Sequence, residues 1–495
     1  MYSIKQLAQK IDATYIGEDK PFSGIHFDSR QIKPGDIFVA IVAERDGHEF
    51  IASAMQNGAA AVLVDHKIAA DIPQIIVKDT TKGLGQLAKV WKSQFDLPVI
   101  GLTGSCGKTT TKEMLASVFK QMGKVAYTQG NFNNALGVPL TLFQLRQEHE
   151  YLIVEMGTNN PGEIPYLVSL VTPDISLITN IGACHTEGLK SLDGIMQEKG
   201  AIFNALSKSD GIAIINLDDA RIAAFSAQLT CRKISYSKTN HQADIYLSEP
   251  PNMQLNFSQF TATIQEPYLL TPGSSFRGLT AGSIKSSNID SAVKPRNDGG
   301  MSHYQEHKYD FVLNLFGLHQ VENALSVIAV ATAFGIEPQV IAKGLAEVQA
   351  HQGRTNLIKI NDTLSVIDDC YNASFPSVIS AIKSLDQSTG RKILVLSNMG
   401  EMGESAEKYH RLVGQCIHHA SIDQVLLYGD QTLIRYIQEE AGNNTQIYQD
   451  KALLIADLKT CLNTTHTNTF VLVKGSHANK MEEVIQACFP NHKTR

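Results

Sequence analysis

Between residues 101 and 115 the chain reads GLTGSCGKTTTKEML, and several residue types in it suit one task. Gly104 and Gly107 let backbone N–H groups point at an anion, Lys108 supplies positive charge, and the Thr109 hydroxyl is a magnesium ligand by type. Ser105, Cys106 and Thr110 complete the turn. The apolar run PVIG enters it, and Met114, Leu115, Val118, Phe119 and Met122 follow at helical spacing, with Gly123 as a stop. A strand, an anion-cradling loop and a helix N-terminus are expected, and their ligand is a nucleotide phosphate. The general phosphate-loop formula wants glycine where this chain has Leu102; its glycine stands one place earlier, at Gly101. An ordinary glycine-rich turn is the competing explanation.

Other residues bear on which phosphate chemistry this is. A GTPase would carry an Asn-Lys-x-Asp segment after a later strand, and ITNIGACH is not one. A motor-type ATPase ends an apolar strand in Asp for magnesium, whereas YLIVEMG ends in Glu155. His185 follows ISLITNIG, where a doubly wound sheet opens toward ligands. A helical lysine such as Lys199, between Glu198 and Gly200, ordinarily snorkels to solvent. Cys106, before a helix N-terminus and beside Lys108, is expected to have a lowered thiol pKa and to be protected by ATP.

Strands and helices must hold these groups in place. To about residue 95, GDIFVAIVA, AAAVLVDH and PQIIVKD read as strands and EFIASAMQNG as a helix, a small α/β unit. From 96 to 350, LPVIGLTG, YLIVEMG, ISLITNIG and GIAIINLD are apolar enough to be parallel strands buried on both faces. From 351 to 495 the alternation restarts with LSVIDD, RKILVLSN, IDQVLLYG and TFVLVKGS, separated by helical stretches. Residues 272–303, rich in Gly, Ser, Asn and Pro, read as a mobile surface insertion.

Composition bounds the partners. A length of 495 residues implies about three domains. A formal charge of -6 without a basic tract argues against nucleic acid. The N-terminus lacks the apolar core of a signal peptide, and no run is long enough to span a bilayer, so a cytoplasmic protein without membrane insertion is expected. Seven cysteines without a C-x-x-C pair fit reduced thiols.

The motifs, in order, resemble those of the Mur ligases of peptidoglycan synthesis: GLTGSCGKTTTKEML, NFNNALGVPLTL, VEMGTNNPGEI, ITNIGACHTEGLKSLDGIMQEKGAIF, GLHQVENAL, GR, IDDCYNASFPS and VKGS. DSRQIKPGDIFVAI, DGHEF and DDCYNAS are most similar to the branch that adds D-alanyl-D-alanine to UDP-N-acetylmuramoyl-tripeptide. The resemblance implies an α/β fold of three domains. These are a UDP-substrate domain (1–95), a central P-loop ATPase with a mostly parallel sheet (96–350) and a Rossmann-like domain (351–495) for the incoming amine. It also implies ATP and Mg2+ as cofactors, an acyl-phosphate intermediate and a monomer.

Residue by residue, the resemblance implies catalytic roles for Lys108, Glu155, His185 and Lys199. Thr109, Glu155, His185 and a carbamylated Lys199 would hold metal. Asn134 would sit near the nucleotide or acyl phosphate, His319 and Asn323 by adenine, Arg354 by phosphate and Asp369 by the ribose. Asp28, Ser29 and Arg30 would border the UDP moiety, and Tyr371 and Asn372 the amine substrate. Relatives usually have Glu where this chain has Ala201, Tyr-Asn-Ala-Asn-Pro where it has YNASFP, and a Gly-Asp-Met run where it has SNMGEMG. The alternatives are a sister ligase adding a single amino acid, a folylpolyglutamate-type enzyme, or an idle ATP-binding partner. Retention of Glu155, His185 and Lys199 argues against the last.

Overall fold

The structure is a computed structural model, and the residues it describes are 2–206, 210–253, 257–265, 306–349, 353–463 and 467–490. The insertion expected at 272–303 lies outside them. Described strands form three sheets, of five, ten and six strands.

The first sheet runs Thr14–Ile16, Gln74–Ile76, Ala61–Val64, Ile37–Val39, Ile25–His26, and only the Thr14–Ile16 pairing is antiparallel. GDIFVAIVA yields just the three-residue strand Ile37–Val39. The chain turns soon after it, with the Gly47 N–H donating to the Ile41 carbonyl at 2.9 Å.

In the central sheet Val99–Thr103 lies between Tyr151–Glu155 and Ile175–Ile178, parallel to both. Val125–Tyr127 lies beyond the former; Ile212–Asn216, Arg232–Ser237 and Ile245–Leu247 continue beyond the latter. Crossovers therefore leave Val99–Thr103 toward opposite sides, which opens a crevice at its carboxyl end. Val99–Thr103, Tyr151–Glu155, Ile175–Ile178 and Ile212–Asn216 are buried along their whole length, as continuous apolar runs in a covered parallel sheet must be. The sheet then turns antiparallel: Ser258–Gln265 pairs with Ile245–Leu247 and with Glu306–Leu313. That extension was not legible in the apolar runs, because polar residues alternate along both of its long strands. The helix after the loop, Lys108–Lys120, buries Met114, Leu115, Val118 and Phe119, but Met122 falls past its end and is exposed.

The third sheet is ordered Asn356–Lys359, Leu364–Asp369, Thr469–Lys474, Arg391–Ser397, Gln424–Tyr428, Thr445–Tyr448, parallel after the first pair. It packs against the central unit. Ala183 and Phe316 join the apolar cluster of Leu394 and Leu396, and a Cβ on Gly182 would stand 2.3 Å from Pro376 Cγ. Among the described residues no helix is long and apolar enough to cross a membrane.

Candidate active site

At the end of Val99–Thr103 the backbone of Gly104 takes φ 155°, and a Cβ there would fall 1.9 Å from Thr179 Oγ1. Two strand ends approach so closely that only glycine fits. Gly107, at φ 81°, starts the helix Lys108–Lys120. Lys108 Nζ arches back to donate to the Gly104 carbonyl at 2.8 Å. The Ser105 N–H donates to the Asn180 carbonyl at 2.9 Å and the Cys106 N–H to Asn180 Oδ1 at 3.0 Å, which pins the loop. The N–H groups of the helix's first turn, Thr110 included, have no intrahelical acceptor and are the donors available to an anion.

Thr109 is buried, and its Oγ1 donates to Glu155 Oε1 at 3.2 Å. Asn133 Nδ2 donates to the same oxygen at 2.7 Å. Glu155 Oε2 is buried without a hydrogen-bond partner, 4.0 Å from the fully buried Lys112 Nζ. That ammonium also touches Glu113 Oε1 at 3.0 Å and donates to the Gly130 carbonyl at 3.2 Å. One carboxylate thus joins the phosphate-loop helix to the NFNN segment and keeps an oxygen without a hydrogen bond, near the Lys112 ammonium.

Lys199 does not snorkel. On the helix Leu192–Asn204, capped by the Ser191 hydroxyl, it shares the buried stripe with Ile195 and Ile202 and has no exposure. Its Nζ has no hydrogen-bond partner, and burial, reinforced by Lys108, lowers its pKa to about 8. Glu198 beside it is spent on structure, accepting from the N–H groups of Gly162 at 2.8 Å and Ile164 at 2.6 Å.

His185 lies in the left-handed region, φ 52°, and its Nδ1 pairs with Glu401 Oε2 from the third sheet's unit, itself at φ 60°. The Thr186 hydroxyl donates to the Met402 carbonyl at 2.8 Å and the Glu187 N–H to the Glu401 carbonyl at 3.3 Å. The expected metal residues are therefore only partly gathered: Thr109 and Glu155 touch, Lys108 acts on Lys199, and His185 is held across the junction.

The facing sheet ends contribute charge. Asp369 accepts from Lys474 Nζ at 2.6 Å and from the Thr355 N–H at 3.0 Å, and Lys474 also donates to the Asn372 carbonyl at 2.9 Å. The Arg354 guanidinium stacks 4.0 Å from the Tyr371 ring centroid, with Nε buried and unpartnered. His319 is held mostly neutral by burial, its pKa lowered to about 4, and its Nδ1 has no partner. Asn323 backs onto the phosphate loop, its Oδ1 2.5 Å from where a Gly107 Cβ would stand.

Cys106 corrects an expectation. The half-buried thiol is pushed up, because desolvation outweighs the Lys474 and Lys108 charges. Asn134 is a helix cap here, its Oδ1 accepting from the N–H groups of Leu136 at 3.1 Å and Gly137 at 2.9 Å. Arg30 turns its fork on Asp28, at 2.9 and 2.7 Å, which lowers the Asp28 pKa to about 2. The backbone carbonyl of Ser29 accepts from Asn57 Nδ2 at 2.8 Å, so all three residues stand in the first sheet's unit, apart from the phosphate loop.

Lys112, Asn133, Glu401 and Lys474 were not read as site residues. Signals existed for two of them: Lys112 is a charge on the apolar stripe of its helix, and Lys474 closes the strand of VKGS.

Three family models match the chain: "Mur ligase family, catalytic domain" over 21–92, "Mur ligase middle domain" over 102–267 and "Mur ligase, glutamate ligase domain" over 353–477. The UDP-N-acetylmuramoyl-tripeptide--D-alanyl-D-alanine ligase of Escherichia coli (strain K12) is 34% identical over 490 residues, 99% of this chain and 98% of the relative. Its namesake from Bacillus subtilis (strain 168) is 32% identical, covering 98% and 97%. The crystal structure of MurF from Acinetobacter baumannii superposes with a TM-score of 0.85 at 29% identity, covering 99% of each chain. That of the MurF ligase from Thermotoga maritima in complex with ADP superposes at 0.77 with 24% identity, covering 94% of this chain and 97% of that one, a likeness of fold. On this end-to-end similarity, the chain is a MurF-like member of the Mur ligase family.

Proposed function

We propose that this chain is an ATP-dependent carboxylate–amine ligase that joins D-alanyl-D-alanine to UDP-N-acetylmuramoyl-tripeptide in peptidoglycan precursor synthesis, giving the UDP-linked pentapeptide, ADP and phosphate. The observation that carries the reading is the phosphate loop facing the Lys474–Asp369 pair across the junction of two sheets. The similarity to ligases of that name supports the substrate pair.

In this reading the γ-phosphoryl group passes to the tripeptide carboxylate. A carboxylate O–P bond forms and the bond to ADP breaks. The dipeptide amine then attacks the acyl carbon, and phosphate leaves as the amine loses its proton. Such chemistry is mostly positioning and charge neutralisation. Lys108 and the first-turn N–H groups hold the terminal phosphates. His319 and Asn323 border adenine, Asp369 the ribose, and Arg354 reaches phosphate. Asn134 borders the acyl phosphate once its cap loosens. Tyr371 and Asn372 border the dipeptide, and Asp28, Ser29 and Arg30 the uridine diphosphate.

Oxygen donors suit Mg2+, and Glu155, whose Oε2 accepts no hydrogen bond, together with Thr109 Oγ1 fits that requirement. When bound there, Mg2+ would neutralise charge on the β- and γ-phosphates. His185 would offer Nε2, since Glu401 holds Nδ1. Lys199 has the partnerless, deprotonation-prone amine that adds CO2: an N–C bond forms, a proton leaves, and a cation becomes a carboxylate ligand. The enzyme acts in the cytoplasm as a monomer of three domains divided near residues 95 and 350.

Hydroxylamine tests the mechanism. With ATP, Mg2+ and UDP-tripeptide but no dipeptide, it should trap the tripeptide hydroxamate; ADP formation without hydroxamate would contradict an acyl phosphate.

A further inference from the structure

Past the carboxyl ends of Ile37–Val39 and Ala61–Val64, far from the phosphate loop in sequence, two imidazoles and a carboxylate converge. His66 Nδ1 lies 2.5 Å and His48 Nε2 3.3 Å from the same oxygen, Asp65 Oδ1, and each of the three residues offers a ligand atom within 4.8 Å of the others'. The rings stack with centroids 4.7 Å apart.

The contacts of His48 are informative. His48 Nδ1 lies 2.6 Å from Asp46 Oδ1, a carboxylate that only accepts, so this nitrogen carries the hydrogen. The other nitrogen, Nε2, is turned toward Asp65. Nε2 is buried and makes no hydrogen bond, 3.3 Å from Asp65 Oδ1. A carboxylate that fixes one nitrogen while the other faces further donors is the usual support of a metal-bound histidine. The turn is rigid as well: Asp46 Oδ1 also accepts the His48 N–H at 3.0 Å, and a Cβ on Gly47 would meet Ile41 backbone at 2.6 Å.

We propose that His48, Asp65 and His66 form a binding site for a divalent transition cation of the Zn2+ class. Two imidazoles and one carboxylate leave a fourth position for water or another oxygen ligand. Bonds of about 2 Å set tetrahedral ligand atoms about 3.3 Å apart, the spacing His48 Nε2 and Asp65 Oδ1 already have, so His66 Nδ1 must move off Asp65 Oδ1 onto the cation. His66, whose side chain is 64% exposed, is free to make that move. The cation would staple the Asp46–His48 turn to the end of Ala61–Val64.

Co2+ titrated into the intact, metal-stripped chain in excess Mg2+ is the probe. One equivalent should give the visible band of a four-coordinate site and raise the melting temperature. H48A and H66A should lose both responses, whereas H185A keeps them, which separates this site from the catalytic centre. H66A should retain ligase activity with Mg2+. Absence of the band, six-coordinate spectra, or a band unchanged in H48A and H66A would overturn the proposal.

Discussion

Lys199 concentrates the argument at the scale of the residue. A fully buried amine without a partner is costly as a cation, and burial lowers its pKa to about 8. A neutral amine, unlike an ammonium, can add CO2. We predict that K199A loses on the order of 10²-fold or more in kcat and that short carboxylic acids partly restore it. Wild-type enzyme prepared with ¹³C-labelled bicarbonate should show a carbamate resonance absent from K199A. Loss without rescue or resonance would mean a purely structural lysine. His319 gives a stability prediction. Its folded pKa of about 4 lies below the unfolded value of about 6.5, so the unfolded chain binds the extra proton between those limits. Stability therefore falls as pH drops from about 6.5 toward 4, by at most about 3 kcal/mol from this group. Urea melts of H319Q should show a flatter pH profile than wild type; parallel profiles would contradict the assignment.

At the scale of elements, the loop depends on neighbours that its own letters do not reveal. Gly104 is required by Thr179 on the adjacent strand end. G104A should cost more than about 3 kcal/mol, from overlap and left-handed strain, and so yield little folded protein. N133A should be milder. It removes one of two donors to Glu155 Oε1 and should cost about 2 kcal/mol in thermal or urea unfolding. The apolar strands and the phosphate loop were legible because continuous burial and glycine geometry leave direct marks on a sequence. Asn133 was not, since NFNN does not say which amide meets Glu155 and which caps the next helix. Cys106 was misread because a neighbouring lysine is visible in sequence, whereas the desolvation that wins is produced by the packing of two units. The departures at SNMGEMG have a local account: Ser397 and Asn398 both accept from Asn479 Nδ2, at 3.1 and 2.9 Å, so they brace the loop that carries Glu401.

For the whole molecule, the account rests on two sheets whose carboxyl ends meet. The alternation of strands and helices announced three α/β units, but no run of letters could show that His185 would reach Glu401, 216 positions away. Both residues hold left-handed backbone, strain that a functional contact can sustain. We predict that E401A folds normally yet stays more expanded in solution scattering with ATP and UDP-tripeptide, and needs more Mg2+ for half-maximal rate. Equal dimensions and equal Mg2+ dependence would remove the junction from the mechanism. The central claim, ligation of a dipeptide at this junction, is tested most directly by phosphate release and product mass. The assay would contain ATP, Mg2+ and UDP-N-acetylmuramoyl-tripeptide, with D-alanyl-D-alanine present or omitted. Dipeptide-dependent phosphate and a UDP-pentapeptide mass are the predicted result; release that instead requires a single amino acid, or no release at all, would contradict it.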